Sequence, residues 1–136
     1  MWFEKKPEKG ELEELFKLKL NLLNQRQLFD CVAIDEGKVL GECEIARVDG
    51  QWKVGIIIGK EHRRMGLGGR LLRTCMNFAR EENIEELIAE LSEDNTDSIL
   101  FFLTNGFYKD EKDTGLTKLG KRVLCYKRAL VRKSVV

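Results

Sequence analysis

Apolar positions recur along the chain with two different periods, and the places where the period changes mark out the elements. Leu12, Leu15, Phe16, Leu18, Leu22 and Leu23 fall at helical spacing and predict an amphipathic helix that covers one face of a larger structure. Residues 2–6, ahead of it, read as a short first strand. Residues 28–34 read as a strand, Glu36-Gly37 as a turn, and residues 39–48 as a second strand with Glu42 and Glu44 on one face. Asp49-Gly50 closes a hairpin, because both central residues of a type I′ turn take positive φ. The third strand spans residues 51–59. Its centre, Val54-Gly55-Ile56-Ile57-Ile58, is apolar on both faces and belongs in the middle of a sheet, with Gly55 and Gly59 marking a bulge or a close backbone approach.

After a glycine-rich stretch, Leu71, Leu72, Cys75, Met76 and Ala79 restore a helical stripe. Residues 87–91 form a short strand. Asp94, Asn95 and Thr96 then supply helix-capping side chains, Ile99, Phe102 and Leu103 an apolar stripe, and Asn105-Gly106 a left-handed stop. Phe107 and Tyr108 begin another strand, and residues 123–131 form the last. The order predicts an α/β (α+β) fold, a mixed, mostly antiparallel central sheet with helices on both faces, built as one domain over residues 1–136.

Composition narrows the class. Apolar residues at 43% beside 35% charged residues, with Pro7 the only proline, describe a soluble globular protein. The net charge of +1 conceals an acidic stretch at residues 81–113 and a basic one at 118–133. The basic run, which includes Lys121, Arg122, Lys127 and Arg128, lacks interleaved stacking aromatics, so no nucleic acid is expected, while the acidic stretch suits a cationic substrate. Cys31, Cys43, Cys75 and Cys125 lack the spacing of a zinc site and are expected to be reduced and packed, although a hairpin pairing of Cys31 with Cys43 stays open. No apolar run suits a signal peptide or a membrane span, which points to a cytoplasmic protein without a membrane partner.

The strongest chemical signal is His62-Arg63-Arg64-Met65-Gly66-Leu67-Gly68-Gly69-Arg70, which runs from a buried strand into a helix. Glycines let backbone approach an anion closely, and the unpaired amides of a helix start point at it. Arg63, Arg64 and Arg70 add positive charge. The pattern matches neither a dinucleotide fingerprint nor a P-loop, so a different phosphate compound is implied.

Here the chain resembles the GNAT superfamily of N-acetyltransferases, whose cofactor loop reads Gln/Arg-x-x-Gly-x-Gly/Ala, matched by Arg63-Arg64-Met65-Gly66-Leu67-Gly68. Ala89-Glu90-Leu91-Ser92-Glu93-Asp94-Asn95 is similar to the family's strand end, and residues 99–107 to its next helix and Gly-Phe. The resemblance implies acetyl-CoA as cofactor. The backbone of Ile56, Ile57 and Ile58 would take the pantetheine arm where a bulge splays this strand from the next. The loop from Arg63 through Arg64, Met65, Gly66, Leu67, Gly68 and Gly69 to Arg70 would take the pyrophosphate. Asn95 matches a cofactor-contacting position and equally serves as a helix cap.

Acetyl transfer requires a neutral amine, and a lysine-type amine has a reference pKa near ~10.4, so a base helps. Glu90 stands where one branch of the family carries its catalytic glutamate, and Glu42 and Glu44 are weaker candidates as a water-relayed base or as charge partners. His62, at the loop entry, reads as packing. Phe102 occupies the cofactor-side position of the family's general-acid tyrosine and has no proton to give. The expectation is an N-acetyltransferase acting on a small-molecule or protein amine by direct attack in a ternary complex. The alternative is a CoA-binding module without turnover. The last strand offers an edge for a homodimer.

Overall fold

Pairs of residues with positive φ set the register of the amino-terminal meander. Glu36 and Gly37, at 48° and 77°, join β1 (Leu28–Asp35) to β2 (Lys38–Val48), and Asp49 and Gly50, at 51° and 76°, join β2 to β3 (Gln51–Ile58). Both are left-handed pairs of the kind that match strand twist. The computed structural model describes residues 9–63, 65–111, 115–116 and 120–130. The strand expected at residues 2–6 lies outside the described residues.

The remaining elements are α1 (Lys9–Asn24), α2 (Leu67–Glu81), β4 (Glu86–Ser92), α3 (Thr96–Thr104), β5 (Tyr108–Asp110) and β6 (Val123–Ala129). The strands form one sheet in the order β1-β2-β3-β4-β6-β5. Only β3 and β4 pair in parallel, so the sheet is mixed and mostly antiparallel, as the element order predicts. The last strand is not an edge, because β6 lies between β4 and β5, and the edges among the described residues are β1 and β5. A homodimer through β6 would therefore have to displace β5.

The main core lies between the sheet and helices α2 and α3. Leu71, Leu72, Cys75, Met76 and Ala79 of α2 meet Cys43, Ile45, Val54, Leu87 and Ala89, and Phe102 of α3 joins the same cluster. This helical stripe alone, fully buried, accounts for several kcal/mol at about 1.5–3 kcal/mol per large side chain. A smaller cluster, Leu28 and Ala46 with Val48, sits on the opposite face where the chain enters β1 from α1. Leu18 and Leu23, expected on the covering stripe of α1, are instead exposed. Leucines at 18, 20 and 23 spread over more of the helix circumference than one sheet contact covers.

Two details of β3 differ from the sequence reading. Its register with β2 is unbroken from Gly41↔Ile58 to Val48↔Gln51, so Gly55 marks no bulge there. Gly59 is a close approach, since a Cβ there would lie 3.2 Å from Leu40 O. Although the strand is apolar on both faces and central, Ile57 is 67% exposed, because α2 covers only the other side.

Candidate active site

The parallel junction of β3 and β4 builds the site. Lys53↔Ile88 is the one register pair joining these strands among the described residues, and both strands continue past it, to Ile58 and Ser92. A split opens at their carboxyl ends. Gly59 N–H donates to Leu40 O at 2.8 Å. Alternation then turns the backbone of Gly55 and Ile57 toward β2 and that of Ile56 and Ile58 toward the split. Arg63 Nε donates to Ile58 O at 3.3 Å, across the mouth of this gap.

The glycine loop follows at the same end. A 3-10 turn, Lys60–His62, folds back with His62 N–H donating to Gly59 O at 2.8 Å. Gly66 then caps α2 in the left-handed region, at φ 76° and ψ 2°. The first helical bond runs from Arg70 N–H to Gly66 O at 3.2 Å, which leaves the amides of Leu67, Gly68 and Gly69 without a helical acceptor. Among the described residues no side chain caps this end, and its first turn carries no acid. Gly68 packs on α3, since a Cβ there would lie 3.1 Å from the Phe101 ring. Met65, Arg63 and Arg70 are exposed around the loop, and Arg64 lies outside the described residues. A left-handed glycine, bare helix amides, flanking arginines and no competing carboxylate fit a diphosphate group.

Across the split stands Glu90. Leu87 and Ala89 face the helices, so alternation puts Glu90 on the open face, where its Oε1 meets Lys53 Nζ at 2.6 Å. Each of these side chains is about a third exposed. Sequence reasoning missed Lys53, the charged residue of a strand centre that is otherwise apolar, and that anomaly was the available signal.

Further along the open face, Glu44 lies between Asp30 of β1 and Gly55 of β3, and Glu42 between Val32 and Ile57. The carboxylate oxygens of Asp30, Glu42 and Glu44 lie within 4.8 Å of one another, and Glu44 is buried. Asp30 was also missed, although the Glu36-Gly37 turn places it opposite Glu44.

The other candidates occupy different surroundings. Asn95 Oδ1 accepts from Ser98 N–H at 3.4 Å, which makes it the cap of α3. Phe102 is 1% exposed, in the core, with its ring edge-on to Phe107 at 4.9 Å. Its neighbour Phe101 is the ring that reaches the loop.

The cysteines are free thiols. Cys31 and Cys43 are register partners, and the Cys75 thiol donates to Cys43 O at 3.3 Å. Burial pushes the Cys31 thiol up to about 12, and the contact with Cys43 and burial push Cys75 up as well, so neither thiol is a ready nucleophile.

The model of the acetyltransferase (GNAT) family matches residues 1–107. The chain belongs to the GNAT family of acetyltransferases. The acetyl donor of GNAT proteins is acetyl-CoA, and the bare helix amides beside the β3–β4 split fit its diphosphate. Solved structures share this GNAT fold. The ribosomal-protein-alanine N-acetyltransferase of Brucella melitensis is 24% identical with a TM-score of 0.77, over 96% of this chain and 83% of that one. The PaiA N-acetyltransferase of Thermoplasma acidophilum, in complex with coenzyme A, is 14% identical with a TM-score of 0.70, over 86% and 70%. YncA of Salmonella typhimurium, with acetyl-CoA, is 16% identical with a TM-score of 0.74, over 100% and 82%. No curated protein matches the chain. Among its described residues, no helix is long and apolar enough to cross a membrane.

Proposed function

We propose that this GNAT protein, acting as a single domain over residues 1–136, transfers the acetyl group to the nitrogen of a primary amine, with Glu90 as the base. The observation that carries this reading is a carboxylate on the rim of the β3–β4 split, facing the open side of the sheet. When bound, acetyl-CoA supplies an acetyl thioester for direct attack by the amine, with no acetylated side chain between. The amides of Leu67, Gly68 and Gly69, together with Arg63, Arg64 and Arg70, hold the diphosphate. Met65 and Gly66 shape the turn that presents them. The backbone of Ile56 and Ile58 offers polar groups to the amide-bearing arm. Asn95 holds the start of α3 beside it.

Glu90 accepts the proton of the arriving ammonium, directly or through a water. Lys53 keeps the Glu90 carboxylate aimed along the split. Asp30, Glu42 and Glu44 bias the open face toward cationic amines.

Thiol release from acetyl-CoA with a panel of small amines and amino-terminal peptides tests the reading, with Glu90→Gln in parallel. The variant is expected to lose about 100- to 10,000-fold in kcat while its thermal midpoint still rises with acetyl-CoA. A Glu90→Gln protein with unchanged kcat sinks the assignment.

A second reading is favoured by Phe102, which offers no proton at the position of the family's tyrosine and is buried among aromatic rings. That reading is a CoA-binding module without turnover. A thermal shift with acetyl-CoA but no thiol release with any amine would support it.

A further inference from the structure

Side chains on an α-helix lean toward its amino end, so a long residue covers the position four before it. Along α2 this sets Arg73 over Gly69, which has no side chain to hold it off. A Cβ at Gly69 would lie 3.2 Å from Arg73 Nη1 and 3.9 Å from Arg73 Cζ, so the guanidinium rests on the first turn of the helix. Arg73 is exposed, and among the described residues it has neither a hydrogen bond nor an ion pair. Other arginines nearby are engaged: Arg80 donates to Asn77 Oδ1 at 2.9 Å, and Arg26 pairs with Glu82 at 3.4 Å. A cation drawn back onto the positive end of a helix dipole, with no acid in that turn, is unfavourable until an anion joins it.

The side of α2 on which Arg73 lies decides which anion. Asn105 Oδ1 is 3.8 Å from the same point at Gly69, and Asn105 is held in place, its Nδ2 donating to Phe101 O at 2.8 Å and its carbonyl accepting from Arg128 Nη1 at 2.6 Å. Arg73 therefore stands on the flank of α2 that faces the end of α3. Arg63 stands elsewhere, bonded to Ile58 O at the mouth of the split. Coenzyme A carries a diphosphate at its middle and a monophosphate on the 3′ oxygen of its ribose. With the diphosphate on the amides of Leu67, Gly68 and Gly69, the amide-bearing arm leaves toward Ile58 and Arg63, and the nucleoside end is left to the exposed flank. We infer that Arg73 is a specificity-determining residue that holds the ribose 3′-phosphate, so that this chain distinguishes coenzyme A from its dephospho form. A phosphate monoester offers a nearly doubly charged group with three acceptor oxygens to a planar guanidinium fork. The inference rests on the loop holding the diphosphate, and not on Glu90 or on the amine.

Calorimetric titration of the full chain with coenzyme A and with 3′-dephospho-coenzyme A tests it, in the wild-type protein, Arg73→Gln and Arg73→Lys. The wild-type protein is expected to bind coenzyme A about three- to tenfold more tightly than the dephospho form, the scale of one exposed, charge-assisted contact. Arg73→Gln should abolish that ratio by weakening coenzyme A alone, and Arg73→Lys should restore part of it. The ligand-free thermal midpoint should stay in place in both variants, because Arg73 is exposed and unbonded. Equal Kd values for the two ligands in the wild-type protein overturn the inference while the loop reading stands. So does an Arg73→Gln protein that keeps the ratio, or one that loses the same factor for both ligands, which marks a contact to the diphosphate instead. A wild-type protein that binds neither ligand defeats the loop reading and the inference together.

Discussion

Phe102 shows how one position can carry two demands. On α3 it sits where the resemblance calls for a proton donor, yet its ring is buried against Phe107 and edge-on to Phe101 at 5.2 Å. Such a residue contributes through packing. Phe102→Ala is expected to cost about 3–5 kcal/mol in urea denaturation, the usual range for emptying a well-packed aromatic site. Lys53 and Glu90 form the opposite kind of pair. At 2.6 Å and about a third exposed, they add little to stability because water screens them, and in the proposed mechanism their value lies in aiming a carboxylate. The buried and the screened residue would therefore be told apart by where a substitution registers, in the denaturation midpoint or in kcat.

Helix α2 begins on a residue that only glycine fills without strain. Gly66 has φ 76°, and a Cβ added there would meet no described atom within 4 Å, so Gly66→Ala would find open space and still be strained in the backbone. The expected cost is about 1–2 kcal/mol in urea denaturation, with a loss of acetyl-CoA affinity read by calorimetric titration. This element was legible in the sequence because its signals are local: a glycine turn, an apolar stripe and a strand on either side. The Asp49-Gly50 and Glu36-Gly37 turns and the Asn95 cap were legible for the same reason. The split between β3 and β4 came only with the family resemblance, because it depends on how far a parallel pairing persists, which no local pattern encodes. Two features were not legible. The internal place of β6 depends on strand order, and the exposure of Ile57 depends on a face left uncovered. Lys53 was hidden by the same non-locality, since its partner is on another strand.

Over the whole molecule, the buried thiols make stability sensitive to alkali. Cys31 is held at about 12 against an ordinary value of 9.0, first by burial and then by Cys75. A raised value means that the folded state keeps the proton, so this contribution is complete below pH 9.0 and is lost as pH climbs through the folded value. Cys75 and Cys125 shift in the same direction. Lys127, raised by Asp110, adds to the loss above its ordinary 10.5. The thermal midpoint is expected to hold from pH 7 to about 9 and to fall steeply beyond, and a Cys31→Ala variant should flatten that slope. Thiol labelling at pH 8 should be slow and should start at Cys31, which is less buried than the others. Asp94 behaves inversely. Lys121 first, and then Ser92, hold its carboxyl below the ordinary 3.8, so its bonds to both persist through neutral pH and loosen only on strong acidification.

The single register pair between β3 and β4 also bears on how the chain reaches this shape. The meander β1–β3 closes through two-residue turns, whereas Lys53 and Ile88 meet only after the whole of α2 has been laid down between them. Closing that longer loop costs more chain entropy, and few backbone bonds reward it. The seam should therefore zip late in folding and open early in unfolding. A cofactor that bridges it would act as a brake on unfolding, so that the lifetime of the native molecule is set in part by how much acetyl-CoA surrounds it.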